Sequence, residues 1–115
     1  MTSTGTGQKA ELTASNYLEM RGYDILERNY RRPRCEIDIV ARKNGVIYFV
    51  EVKYRRSDAQ GGGLEAITQS KLHQMQFAAE TWVDDFKWRG DYQLAAIEVG
   101  GREFAVLGFV DDILV

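Results

Sequence analysis

The chain contains one cysteine, one proline and one histidine among its 115 residues. A single cysteine, Cys35, excludes an internal disulfide and a zinc site built from several cysteines. No run of apolar residues approaches the roughly 20 that are needed to cross a bilayer, so we expect no membrane partner. The amino-terminal stretch MTSTGTGQK lacks the apolar core that a secretion signal requires. We therefore expect a cytoplasmic protein.

What the chain does contain is an ordinary globular composition, with 44% hydrophobic and 28% charged residues. A length of 115 residues suits one domain with one modest core. We expect a single domain over residues 1–115.

The charge of the chain is distributed unevenly, although the net charge is only −2. Residues 28–56 hold nine basic and three acidic side chains, whereas the remainder holds six basic and fourteen acidic ones. A local excess of positive charge favours binding of a polyanion such as nucleic acid. An ordinary solvated face would give the same composition, so the pattern alone leaves both interpretations open.

The periodicity of apolar residues predicts two helices and five strands. The helices are expected over residues 7–21 and 64–88, and the strands over residues 23–31, 35–42, 46–55, 92–99 and 103–110. Asn44-Gly45 between two alternating runs is a strong signal for a tight hairpin. The order αβββαββ indicates an α/β sandwich with a central mixed sheet flanked by helices.

The predicted hairpin places charged residues within its strands. If Asn44-Gly45 forms a two-residue loop, Asp38 lies opposite Glu51, and Glu36 lies opposite Lys53. Directly opposed side chains share a face, with Cβ atoms about 4.5–5.5 Å apart. Two carboxylates at roughly 5 Å repel by about 3 kcal/mol at an effective dielectric constant near 20.

A fold can keep Asp38 beside Glu51 in three ways. One carboxylate can hold a proton, a cation such as Lys53 can intervene in a salt-bridged sheet face, or a divalent metal can bind between them. Two carboxylates leave Mg²⁺ or Mn²⁺ with open positions for water and phosphate oxygen. Lys53, two residues along the same face, would then position the attacking water.

Other side chains have two interpretations each. Glu11, on the first predicted helix, either leans towards the hairpin or is an exposed helix glutamate. His73 is expected on the polar side of the second helix and is left out of the site. Trp82 and Phe86 are expected in the core.

The chain resembles the (P)D…(D/E)-x-K nuclease core of restriction endonucleases and archaeal Holliday-junction resolvases, on the motifs CEIDIVA and FVEVKYR. It is more closely similar to the YraN family of small bacterial endonuclease-like proteins, also through AELTASNYLEMRGYDILERNYR and EAITQSKLHQMQFAAETW. The resemblance implies a restriction-endonuclease-like fold. It also implies that Glu11, Asp38, Glu51 and Lys53 are catalytic and that Lys71 touches phosphate.

These observations together predict a Mg²⁺- or Mn²⁺-dependent endonuclease acting on nucleic acid, with DNA as the expected substrate and branched DNA as one candidate form. Asp38 and Glu51 would bind the metal, assisted by Glu11, and Lys53 would act on the water. The residues expected to contact phosphate are Arg31, Arg32, Arg34, Arg55, Arg56 and Lys71. The alternative is a nucleic-acid-binding module of the same fold that cuts nothing, and a third is a protein-interaction domain. Analogy with resolvases, which cut two strands symmetrically, predicts a homodimer.

Overall fold

A computed structural model describes residues 5–55 and 67–113 of the chain. Its elements, in chain order, are α1 (Gly5–Met20), β1 (Asp24–Arg32), β2 (Cys35–Lys43), β3 (Val46–Arg55), α2 (Gln69–Phe86), β4 (Tyr92–Gly100) and β5 (Ala105–Ile113). The predicted α/β class and the order αβββαββ are confirmed. Of these two helices, neither is long and apolar enough to span a membrane.

The second helix is shorter than predicted at both ends. It begins at Gln69, because Thr68 has an extended backbone and its side chain accepts a hydrogen bond from the Lys71 N–H, which caps the first turn. It ends at Phe86, because Lys87 adopts a left-handed conformation with φ 54°. The predicted segment 64–66 lies outside the described residues.

The five strands within the described residues form one mixed sheet in the order β1-β2-β3-β4-β5. β3 and β4 are parallel, with α2 between them in sequence, and the other neighbouring pairs are antiparallel. The β2–β3 connection is the predicted two-residue turn, with φ 52° at Asn44 and φ 79° at Gly45. Positive φ at both positions is typical of a type I′ turn, which matches the twist of the strands.

Each helix covers one face of the sheet, because side chains alternate between the faces along each strand. In β3, Phe49 packs against α2, where its ring lies 5.5 Å from that of Trp82 in an edge-on contact. The next residue, Val50, packs on the other face together with Leu18 of α1. The sheet is therefore buried on both sides at its centre. The prediction of a core position was wrong for Phe86, which is 51% exposed. Its ring stacks on that of Trp82, with the centroids 4.6 Å apart, at the edge of the core rather than inside it.

Candidate active site

The candidate site lies where β2 and β3 separate. Their antiparallel pairs run from Lys43–Val46 to Ile39–Val50, in the register that the two-residue loop predicts. Beyond Val50, β3 continues along β4, while the beginning of β2 continues along β1. Asp38 and Glu51 are the first residues past the last β2–β3 pair. The sheet thus opens a fork at the position of the two predicted metal ligands.

At this fork the Asp38 side chain, rather than a backbone carbonyl of a neighbouring strand, accepts a hydrogen bond from the backbone of β3. Its Oδ2 accepts a hydrogen bond from the Val52 backbone N–H at 2.8 Å. Burial, followed by the charge of Glu51, raises the pKa of Asp38 to about 7, and the Val52 hydrogen bond opposes this rise. The charges of Glu11 and Glu36 make smaller contributions to the same rise. The fork therefore concentrates negative charge around one half-buried carboxyl group.

Glu51 meets a cation from the second helix. Its Oε2 lies 3.2 Å from the Nζ of Lys71, and the two side chains are 20% and 38% exposed. Lys71 was predicted to contact phosphate, and in the structure it neutralises Glu51. Such a partly exposed ion pair contributes little stability, of the order of 1 kcal/mol or less. A ligand that binds either Glu51 or Lys71 could therefore replace this ion pair at a small cost in free energy.

A groove of about 1030 Å³ runs from Glu51 between the β1–β2 connection and the first half of α2. Three of the arginines predicted to contact phosphate line one wall, and Lys71 lines the other. The arginines are Arg31, Arg32 and Arg34. The structure thus brings four of the six predicted phosphate contacts together beside a predicted metal ligand.

Two of the groove arginines differ in how they are held. The Nε of Arg32 donates to Asp85 at 2.9 Å, and its guanidinium lies 4.2 Å from the centroid of the Tyr30 ring. The Tyr30 hydroxyl donates to the same Asp85 oxygen. This hydrogen bond and the adjacent Arg32 guanidinium lower the pKa of Asp85. In contrast, the Nε of Arg31 is buried without a hydrogen-bond partner among the described residues.

Further along β3, Lys53 and Arg55 lie on the same face as Glu51, because they follow it at intervals of two. The parallel register places Lys53 beside Glu98 of β4. Arg55 lies 3.5 Å from Glu98. Arg55 is therefore engaged in an ion pair outside the groove walls, and Arg56 lies outside the described residues.

Glu11 is buried in the structure, with 8% of its surface exposed. It lies on the face of α1 that packs on the sheet, next to Ala10 and one turn before Ser15. Its charge also contributes to the raised pKa of Asp38. The alternative of an exposed helix glutamate was wrong.

The described residues include no group of three or more His, Cys, Asp or Glu side chains that could hold a metal ion. The donors at the fork are Asp38 and Glu51. Carboxylate oxygens suit hard cations, and Mg²⁺ is often bound by one or two carboxylates together with substrate phosphates. The donor chemistry fits Mg²⁺ or Mn²⁺, and the remaining positions would have to come from water and substrate.

The chain matches the uncharacterised protein family UPF0102 over residues 10–107. It is 36% identical to a UPF0102 protein of Cytophaga hutchinsonii over 100 residues, which are 87% of this chain and 88% of that protein. It is 37% identical to a UPF0102 protein of Chloroherpeton thalassium, over 85% of this chain and 77% of that one. It is 50% identical to a UPF0102 protein of Trichlorobacter lovleyi, over 67% and 61%.

The chain belongs to the UPF0102 family. None of these names states an activity. The matched region of the UPF0102 chain contains the fork, both groove walls and Glu11.

Sequence reasoning missed two features of this site in the UPF0102 chain. Glu98 is a buried acid, 6% exposed, within the otherwise apolar β4. An acid in such a strand requires a partner, and that signal could have identified it. His73 was left out of the site, although it lines the groove together with Phe77 of the same helix. This lining follows from the packing of α2, which no local pattern reveals.

Proposed function

We propose that this chain is a Mg²⁺- or Mn²⁺-dependent nuclease that hydrolyses phosphodiester bonds in nucleic acid, with DNA as the expected substrate. The observation that carries the proposal is the fork, where half-buried Asp38 lies next to Glu51, which lines the groove together with three arginines. A relationship to the restriction-endonuclease-like nucleases is part of the same proposal, and the strand and helix order is compatible with it.

Asp38 and Glu51 would hold the metal ion. When bound, such an ion polarises a phosphate and lowers the pKa of a water molecule. Glu11 would add negative charge on the α1 side. Lys53, on the same face as Glu51, would orient the attacking water and stabilise negative charge on the phosphate.

The cationic groove would hold the substrate backbone. Arginine binds phosphate through two parallel hydrogen bonds. The Arg31 Nε lacks a partner among the described residues, and Arg32 is already held in place by Asp85. Arg34 and Lys71 add charge to the two walls. Arg55, the last residue of β3, and Arg56, outside the described residues, belong to the proposed contacts as well.

A plasmid-nicking assay with Mg²⁺ or Mn²⁺ tests the proposal. Glu51→Gln and Lys53→Met keep the approximate shape of each side chain and remove its charge. We expect either substitution to abolish nicking, while the wild type cuts. The matched control is Glu19→Gln, which makes the same chemical change at an exposed position of α1 and should cut like the wild type. Nicking that survives in Glu51→Gln would overturn the assignment.

The second candidate is a module that binds nucleic acid without cutting it. Two observations favour it: the described residues contain no three-ligand metal group, and Lys71 already neutralises Glu51. Binding without cleavage in every metal, with affinity that falls steeply with salt, would support the module. Binding that is absent or independent of salt would refute both candidates and favour a protein-interaction role. The homodimer and the cytoplasmic location stay predictions.

A further inference from the structure

The helical wall of the groove carries two aromatic rings in addition to its charge. Ser70, His73, Gln74 and Phe77 lie on one side of α2, and all four line the groove. His73 and Phe77 are four residues apart, so they are neighbours one helical turn apart. Both are exposed, and Phe77 has 49% of its surface exposed.

Phe77 is not required by the core of α2. The helix buries a different set of side chains against the sheet, namely Leu72, Met75, Ala78, Ala79 and Trp82. A large apolar ring is instead displayed towards solvent opposite Arg31 and Arg34. A cationic groove with aromatic side chains is the arrangement by which proteins bind single-stranded nucleic acid, with bases stacking on the rings.

We propose that the groove takes a single-stranded segment, whose unpaired bases stack on Phe77 and His73 while Arg31 and Arg34 hold its phosphates. This inference rests on the proposed function and specifies its substrate. In a duplex the base faces are covered by neighbouring bases, so a duplex would engage the arginine wall without the rings. The substrate class is therefore nucleic acid with an unpaired strand, such as a flap, an end or a branch point.

The test compares three fluorescein-labelled probes by anisotropy in buffer with EDTA, which prevents cleavage. The probes are a mixed-sequence single-stranded DNA, the matching duplex, and a strand of the same length with abasic sites. The abasic strand keeps the phosphates and lacks the bases. We expect the wild type to bind the single strand most tightly.

The decisive variant is Phe77→Ala. Stacking contributes about 1–3 kcal/mol per base, so we expect affinity for the single strand to fall by about 5- to 150-fold. Affinity for the duplex and the abasic strand should not change, and Phe77→Trp should restore tight binding. The control is Phe86→Ala, which removes an equally exposed ring from the same helix outside the groove lining. Circular dichroism verifies that each variant is folded.

The salt dependence separates this inference from the proposed function. Arg31→Ala should lower the affinity for all three probes and reduce the slope of log K against log salt by about one. Phe77→Ala should leave this slope unchanged. If Phe77→Ala binds like the wild type while Arg31→Ala weakens all probes, base stacking is wrong and nucleic-acid binding stands. If no probe binds the wild type in EDTA, the single-strand inference falls, and the nicking assay with Mg²⁺ or Mn²⁺ decides the proposed function separately.

Discussion

Replacing Asp38 by asparagine should stabilise the protein above neutral pH. The pKa of Asp38 is raised from 3.8 to about 7 by burial and by Glu51. Between these values the folded chain holds a proton that the unfolded chain releases, so the free energy of unfolding falls as pH rises through this window. Since each pKa unit corresponds to about 1.4 kcal/mol, the ionised Asp38 carboxylate costs the folded state about 4 kcal/mol above pH 7.

Asparagine removes this cost while keeping the local geometry. Its Oδ1 can still accept the hydrogen bond that the Val52 N–H donates to Asp38. We therefore expect Asp38→Asn to be more stable than the wild type by about 2–4 kcal/mol near pH 8. The difference should shrink by about 3 kcal/mol near pH 5, where the folded wild type is already protonated at Asp38. This is a large effect for a domain whose total stability is of the order of 5–15 kcal/mol.

The assay is urea unfolding followed by tryptophan fluorescence at about pH 5, 6, 7 and 8. Asp24→Asn, at an exposed position of β1, is the matched control and should differ from the wild type equally at each pH. Added Mg²⁺ should stabilise the wild type near pH 8 and leave Asp38→Asn unchanged, because only a folded state that binds the ion gains by mass action. A substitution that destabilises the protein at alkaline pH, or a difference that is constant with pH, would refute the electrostatic account of the fork.

Three further substitutions probe other parts of the structure. Lys71→Met removes the cation 3.2 Å from Glu51, so Mn²⁺ should bind more tightly when measured by calorimetry without nucleic acid. In a separate DNA-binding titration, the slope of log K against log salt should be smaller by about one. Unchanged Mn²⁺ affinity would contradict this expectation. Gly45→Ala places a β-carbon on a residue with φ 79°, so the free energy of unfolding measured with urea should fall by about 1 kcal/mol. An unchanged free energy of unfolding would argue against the observed turn. Asp85→Asn weakens the interaction that holds Arg32 in place. Because a side chain that is already ordered saves about 1 kcal/mol of entropy on binding, DNA affinity measured by anisotropy should fall about fivefold. Equal affinity would show that this interaction is irrelevant to binding.

The predictions that held are those that depend on local patterns. The Asn44-Gly45 turn set the register from Lys43–Val46 to Ile39–Val50, because a two-residue loop with positive φ leaves little choice of pairing. Extending this register to the predicted Asp38–Glu51 and Glu36–Lys53 pairs goes beyond the observed ladder, since the strands separate after Val50. The turn fixes pairing near itself, and the competing strands β1 and β4 decide it further away.

The second helix shows the same limit. Its apolar stripe predicted a helix that packs on the sheet, while the position of its start depended on the cap at Thr68. Which of its polar residues would meet Glu51 depended on how α2 crosses the fork. Lys71 forms the ion pair with Glu51, and His73 and Phe77 line the groove.

The sequence by itself determined the order of the elements, the tight turn and the acidic and basic residues from which a site can be built, because these follow from side-chain periodicity and backbone preference over short distances. The tertiary structure alone decided that Asp38 is half-buried, that Glu11 is buried on the face of α1 that packs on the sheet, and that Glu51 opens onto the groove. Burial and charge proximity between distant segments arise only when both faces of the sheet are covered, and these two quantities set the pKa of the site and its affinity for a ligand.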